Sequence, residues 1–362
     1  MLKRLEIAGK LLLAWIVAGL LWRPGRRARA RSSEALSRPR KVLVVRTDNR
    51  VGEALLTTPL LTALKSHPQK PEVHLLVHPR VVRVLAGHPC IDRLIPFGER
   101  DRNLGPLSPV VRALRRERYD VVVNAANWEA PSVGPAVASR LIGSRSVVLG
   151  PDMRPVRALF DVPVPPLPGT RSEARQRLHL LSPLLSAADR APLSFRPVAE
   201  NAVVLQTLRD LPPRPFAVVN PGGRLGWRRV KPEVFAAACR ALVEEGITPL
   251  VTWGPGEESL ADEVLSLTPS AVRAPPTTID ELASLMSRAA LTVCNNTGPM
   301  HLSVAVGTPT LGLFLHMDMA RWGHEGDRHL MRDLTFEPDQ AAAAAQSVRA
   351  LVARLDLAGK TP

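Results

Sequence analysis

A chain of 362 residues with 45% hydrophobic and 22% charged side chains is long enough for two domains of about 150 residues and apolar enough to give each a core. That excludes a disordered tail and a polytopic membrane protein. Its 48 Lys and Arg against 33 Asp and Glu give a formal net charge of +15, yet one Tyr, seven Phe and six Trp are too few for a platform that stacks single-stranded bases, so no nucleic-acid partner is expected.

Most of the excess charge lies at the start. Residues 1–41 hold eleven basic side chains against Glu6 and Glu34, and an apolar run over residues 11–22 precedes Arg23, Arg26, Arg27, Arg29 and Arg31. A cleaved signal peptide finds a formal site at Ala28-Arg29-Ala30, but the arginine cluster opposes export. A spanning helix needs about 20 apolar residues, which residues 5–22 barely supply with Glu6 and Lys10 among them. A short apolar helix on a membrane surface, with arginines on anionic headgroups and Trp15 and Trp22 at the interface, costs least. A leader without a role is the plain alternative.

From Lys41 onward short β-branched runs alternate with helical stretches, the pattern of βαβ units and parallel sheets. Strands are expected at Lys41–Arg46, Glu72–Val77, 91–96, 119–124 and 146–149. A helix over 54–65 carries Pro59 as an internal irregularity. A proline-rich loop spans 151–168, and a polar helical stretch over 171–210 leads to a linker at 211–215. The alternation then restarts with strands at Phe216–Asn220, 248–253, 291–294 and Thr310–Phe314. Helices are expected over 232–245 and opening near Glu257 and Ile279. An Ala-rich closing helix over 339–357 could pack back onto the first half. The expected domains are a basic, apolar segment 1–40, Rossmann-like halves 41–210 and 211–335, and a closing helix and tail 336–362. The three cysteines, Cys90, Cys239 and Cys294, are too far apart for a disulfide framework or zinc cluster and suggest a reducing compartment.

In parallel sheets ligands sit beyond the carboxyl ends of the strands, where helix N-termini offer unpaired N–H groups. Four such loops stand out. In Thr47-Asp-Asn-Arg-Val-Gly-Glu53, Glu53 could take a proton from a hydroxyl, although complementing the helix dipole is the stronger reading from position alone. Asn220-Pro-Gly-Gly-Arg-Leu-Gly-Trp-Arg-Arg229 pairs glycines with arginines. Its backbone at Gly222 and Gly223, with Arg228 or its neighbour, suits a diphosphate, against the alternative of a glycine turn with solvated arginines. In Gly254-Pro-Gly-Glu-Glu258, Glu257 or Glu258 could accept from ribose hydroxyls or merely cap a helix. In Asn295-Asn-Thr-Gly-Pro-Met-His301, Thr297 and the N–H groups from Gly298 form an anion-binding terminus with His301 one turn in, as ligand or as packed side chain.

No P-loop Gly-Lys-Ser/Thr, G-x-G-x-x-G, His-Glu-x-x-His or G-x-S-x-G occurs, which removes the usual signals of NTPases, dinucleotide oxidoreductases, zinc proteases and serine hydrolases. No Asp-x-Asp pair suggests a metal-chelated diphosphate. The expectation is therefore no metal and no cofactor.

At these loops the chain resembles glycosyltransferase family nine, the ADP-heptose:lipopolysaccharide heptosyltransferases. The likeness covers most of residues 41–335. It rests on Lys41-Val-Leu-Val-Val-Arg-Thr-Asp, Val51-Gly-Glu-Ala-Leu-Leu-Thr-Thr-Pro-Leu-Leu61, Asn220-Pro-Gly-Gly, Trp253-Gly-Pro-Gly-Glu-Glu, and most specifically Asn296-Thr-Gly-Pro-Met-His-Leu302 with Gly307-Thr-Pro309. The resemblance implies an α/β GT-B fold, two Rossmann-like domains facing each other across a cleft. It also implies inverting transfer from a sugar nucleotide held by the C-terminal domain to an acceptor on the N-terminal one. Catalysis then falls to Glu53 or Asp48, and donor binding to Gly222, Gly223, Arg228, Glu257, Glu258, Asn296, Thr297, Gly298 and His301. Arg50, Arg80 and Arg102 fit the acceptor, a lipopolysaccharide core or other glycolipid. The enzyme is expected in the cytoplasm, peripheral to the inner membrane.

Three departures from the family pattern stand out. Glu53 replaces an aspartate on a loop one residue longer, Asn296 replaces another, and Arg229-Val-Lys-Pro232 replaces Lys-x-Trp-Pro. They keep two alternatives open, a degenerate sugar-nucleotide or glycolipid binder and a GT-B-like sugar-nucleotide epimerase.

Overall fold

The computed structural model describes residues 34–129, 132–185, 191–197 and 201–357. The signal-peptide, spanning and interfacial readings of the N-terminal segment fall on residues 1–33 and lie outside the described residues. Among those described, no helix is long and apolar enough to cross a membrane.

The chain divides into two compact units, Met1–Pro192 and Leu193–Pro362. In the first, the described residues form a six-stranded sheet of β1 (Lys41–Arg46), β2 (Glu72–Val77), β3 (Arg93–Pro96), β4 (Val121–Asn124), β5 (Val147–Pro151) and β6 (Val162–Val164), in the order β3-β2-β1-β4-β5-β6. Every pairing is parallel. Val42–Val45 on β1 are at most 1% exposed, as expected for a central strand covered on both faces. The second unit repeats the plan with β7 (Phe216–Asn220), β8 (Thr248–Val251), β9 (Val272–Arg273), β10 (Leu291–Asn295), β11 (Thr310–Phe314) and β12 (His329–Asp333), ordered β12-β11-β10-β7-β8-β9. In each sheet the strand order reverses beside the first strand, between β1 and β4 and between β7 and β10. These switch points open crevices at the carboxyl ends.

The structure differs from the sequence reading in places that have local causes. Pro59 does not kink one helix but opens a second. Val51–Leu55 ends, and Thr58–Lys65 begins with the proline in its first turn, where the missing N–H costs nothing. β6 runs through the expected proline-rich loop, with Pro163 tolerated because the strand lies at the sheet edge. β9 and β12 were not expected; one has two residues and the other lacks a β-branched run. Among its described residues, the stretch over 171–210 carries the helices Glu173–His179 and Ala202–Asp210.

The division between the units falls before residue 193 rather than at the proline-rich 211–215. The helix Ala202–Asp210 therefore belongs to the second unit, where Asn201 Nδ2 donates to Glu281 Oε1 at 2.5 Å. The closing helix Gln340–Leu355 also falls in the second unit, packed on the helix Pro232–Glu244. Alanines on both partners, Ala236 and Ala344 among them, are buried at 0% exposure.

Packing across β5 leaves no room for a side chain at Gly150, where an added Cβ would stand 2.5 Å from the Phe160 ring. Gly150→Ala should therefore lower stability by about 1–3 kcal/mol, read as a lower urea midpoint at unchanged slope.

Candidate active site

At the β1/β4 switch point the last residue of β1, Arg46, turns into a buried polar cluster. Its Nη1 donates to Ala125 O at 2.5 Å and Asn127 Oδ1 at 2.9 Å, and its Nη2 to Glu53 Oε2 at 2.6 Å. Its Nε lies 2.9 Å from Asp48 Oδ2. From the helix Glu173–His179, the fully buried Arg177 reaches the same carboxylate. Its Nη2 contacts Glu53 Oε2, Asn127 Oδ1 at 3.0 Å and Glu173 Oε1 at 3.1 Å, and its Nη1 donates to Glu53 O at 2.6 Å.

Glu53 is 4% exposed. Burial pushes its carboxyl up, but the guanidinium charges of Arg177 and Arg46 outweigh that and hold it at about 2. The cost of crowding falls on Arg46, lowered to about 10 by burial and by Arg177. Burial also opposes the charge of Arg177, but Glu53 and Glu173 reverse the balance and raise its pKa.

The two oxygens of Glu53 are thus unlike. Oε2 takes two guanidinium groups, while Oε1 is buried without a hydrogen bond, 3.3 Å from Arg50 Nη2. Asp48, half-buried on the loop before the helix, carries the more accessible carboxylate, held by Arg46 and 3.5 Å from Arg50. Arg80 follows β2 and Arg102 follows β3, both exposed at this same carboxyl edge, with Arg102 3.5 Å from Glu99. Sequence reading missed Arg177, Asn127 and Glu173. The Glu173/Arg177 spacing of four was visible, but nothing local tied it to a carboxylate 124 positions earlier.

At the β7/β10 switch point, Asn295 at the end of β10 ties down the glycine loop. Its Nδ2 donates to Pro221 O at 2.8 Å and Gly222 O at 3.1 Å, and its Oδ1 accepts from Val230 N at 3.0 Å. Glu257 binds the loop from the other side, accepting from Gly223 N at 2.8 Å and Gly254 N at 3.2 Å. These contacts require glycine at 222, since a Cβ there would collide with Glu257 Oε2. They also correct two expectations. The Gly223 N–H is already donated to Glu257, and both oxygens of Glu257 serve the backbone, because the loops on either side need an acceptor for their amides.

A Cβ at Gly223 would lie 2.9 Å from Arg229 Cγ and 3.2 Å from Thr297 Cγ2. The stem of Arg229 therefore packs on Gly223, and its Nη2 would stand 3.0 Å from a Cβ at Gly226, while Arg228 stacks on the exposed Trp227 ring at 4.2 Å. Thr297 leads into the helix Gly298–Ala305, and the Nδ2 of Asn296 beside it is buried without a partner. On that helix His301 is buried, and its Nδ1 shares a 2.8 Å hydrogen bond with His324 Nε2. His329 lies beyond, its ring 6.5 Å from that of His324. Burial lowers His324 well below 6.5, with His301 and His329 adding to it, while burial and Arg328 lower His329 to about 4. Glu258 is exposed at the first turn of its helix and lines a cavity of about 830 Å³ with Trp253, Arg273 and Gln206.

A model of glycosyltransferase family 9 (heptosyltransferase) matches residues 108–336. The chain is 24% identical over 287 residues to lipopolysaccharide heptosyltransferase 3 of Escherichia coli, covering 75% of this chain and 82% of that protein. Among solved structures, the glycosyl transferase family 9 protein of Veillonella parvula matches with a TM-score of 0.73 at 17% identity, covering 90% of this chain and 99% of the other. E. coli heptosyltransferase WaaC with ADP matches with a TM-score of 0.67 at 20% identity, covering 87% and 99%. At these identities the structures speak for the fold alone, the two-sheet α/β fold of the GT-B glycosyltransferases.

Removing one partner of a buried ion pair strands the other, so Arg177→Met should cost about 3–5 kcal/mol, measured by urea denaturation. The buried imidazoles set a second expectation. Between pH 7 and about pH 4 the unfolded chain binds protons that His324 and His329 refuse in the folded state. Stability therefore falls as pH falls through that window. Thermal melts of His329→Asn should show a shallower decline than the parent.

Proposed function

The chain belongs to glycosyltransferase family 9, the heptosyltransferase family, and on that premise we propose a specific reaction. A heptose-like sugar passes, with inversion, from a nucleoside-diphosphate donor of the ADP-heptose type to a lipopolysaccharide core or related glycolipid. The observation that carries this reading is the convergence of Gly222, Gly223, Arg229 and Thr297 at the β7/β10 switch point, beside the N-terminus of the helix Gly298–Ala305. With the Gly223 N–H already donated to Glu257, the N–H groups at the start of that helix and the Arg229 guanidinium beside Gly226 are what suits the charge that develops on a departing diphosphate. Asn296, where the family pattern has an aspartate, adds a donor N–H and removes a repelling charge. With Glu257 occupied by the backbone, the ribose hydroxyls fall to Glu258, and the nucleoside to the cavity it lines. The reading invokes no metal and no cofactor.

On the acceptor side, Glu53 Oε1 is a buried acceptor without a hydrogen bond. A substrate hydroxyl would satisfy it once the exposed Arg50 moved aside. A carboxylate with a pKa of about 2 is a weak base, so it accepts the proton late, after the attacking oxygen has begun to bond to the anomeric carbon and become more acidic. Asp48, more accessible and braced by Arg46, supports a second reading in which it takes the proton and Glu53 holds the arginines. The basic, apolar composition of residues 1–41 favours a place at the cytoplasmic face of the inner membrane, where a lipid-linked acceptor is embedded.

Thermal shifts with ADP-, UDP- and GDP-sugars test the donor. A ligand at a hundred times its Kd stabilises the fold by about 2.7 kcal/mol, and ADP-heptose should give the largest shift. Glu53→Gln should lower turnover by about a hundred-fold or more while sparing that shift. Unchanged turnover would move the role to Asp48, checked with Asp48→Asn. Product analysis with and without glycolipid separates transfer from epimerisation, and no shift across the panel would favour a degenerate binder.

A further inference from the structure

The first sheet has a second charged edge. At its amino edge, opposite the Glu53 loop, Asp120, Asp161 and Glu117 are spent on the fold itself, and Glu34 is a further, exposed acid of the concavity there. Asp120 Oδ2 accepts the N–H groups of Arg40 and Lys41 at 2.8 and 2.9 Å. Asp161 takes Arg140 Nη1 and Val148 N, each at 2.9 Å. Glu117 holds Lys41 at 2.5 Å and Arg93 at 2.8 Å.

Arg140 and Arg93 are taken up in those contacts, but four other guanidinium groups are not. Arg38, Arg40, Arg118 and Arg145 are exposed, and none of them forms an ion pair among the described residues. All four rim one concavity of about 800 Å³. Glu34 lies on the same face, so the chain segment carrying the apolar run 11–22 and Arg23, Arg26, Arg27, Arg29 and Arg31 joins the fold there.

We propose that this amino-edge face, rimmed by Arg38, Arg40, Arg118 and Arg145, seats the first unit on an anionic phospholipid surface. Its charge complements lipid phosphates, and it is continuous in sequence with an apolar stretch suited to an interface. A polynucleotide is the poorer fit, since the aromatic ring of the face, Tyr119, is buried with its hydroxyl held 2.7 Å from His74 Nδ1. β1 has six residues and spans about 20 Å, so seating this edge leaves the Glu53 loop directed away from the bilayer, toward a glycan rising from it. The inference deepens the reading above, in which the acceptor is lipid-linked, by naming the face that meets the lipid.

The test is sedimentation of the full-length protein with vesicles of phosphatidylglycerol and phosphatidylcholine, and with phosphatidylcholine alone. The parent should bind only the anionic vesicles and release at high salt. Each arginine near such a surface is worth a factor of about five, so Arg38→Glu/Arg145→Glu should weaken binding by about 25-fold or more. Arg209→Glu/Arg240→Glu, with the same charge change on the second unit, should bind like the parent, and both variants should keep the parent's melting temperature. The proposal is overturned if the Arg38/Arg145 variant binds like the parent, if the control variant loses as much, or if single-stranded RNA displaces the parent from the vesicles. A parent that shows the expected vesicle pattern but no nucleotide-induced thermal shift would sink the donor reading and leave this one standing.

Discussion

Two arginines and two glutamates share one buried site beneath the first sheet's switch point. Arg46 and Arg177 carry the positive charge and Glu53 and Glu173 the negative, with Asn127 accepting from both guanidinium groups. Desolvating any one of these groups alone would be prohibitive, so they are held together or not at all. That condition joins the end of β1, the loop after β4 and the helix Glu173–His179. It also leaves one oxygen of Glu53 without a hydrogen bond, in a cluster whose other acceptors are used.

The second unit meets the same problem, ordering irregular loops at a strand end, with neutral amides and a single acid. Asn295 and Glu257 take up the backbone groups that the glycine loop cannot pair by itself. The carboxylate of Glu257 is consumed in this support, so the charge left at this loop is that of Arg229 and of the helix N-terminus. The first unit neutralises its buried charge internally, whereas the second keeps a cation at its loop. The proposed division of labour, with the acceptor on one unit and the anionic donor on the other, follows from that difference.

The two edges of the first sheet differ in how charge is spent. At the carboxyl edge arginines are drawn inward by Glu53 and Asp48. At the amino edge Asp120, Asp161 and Glu117 are drawn into contacts with backbone, Lys41, Arg93 and Arg140, and Arg38, Arg40, Arg118 and Arg145 are left outward. A formal charge of +15 is thus a sum of unlike local balances, and only the unpaired part is open to a partner.

Local pattern was enough to read the buried central strands, the glycine loops and the helix start after Asn295. Apolar runs, glycine and proline act within a few residues of themselves, and Lys41–Arg46, Phe216–Asn220 and Thr310–Phe314 stand where the apolar runs place them. The pairings between distant segments were not legible. Arg177 lies 124 positions from Glu53, and its role depends on a helix whose path over the sheet is set by packing. The same holds for Arg229 in place of Arg228, for Glu257 as a backbone acceptor, for His324 beside His301, and for the closing helix on Pro232–Glu244. A sequence states which charges and amides a chain owns. Which of them meet, and which are left over for a ligand, depends on burial, because only in a dry interior does an unmet hydrogen bond or charge cost enough to dictate its partner.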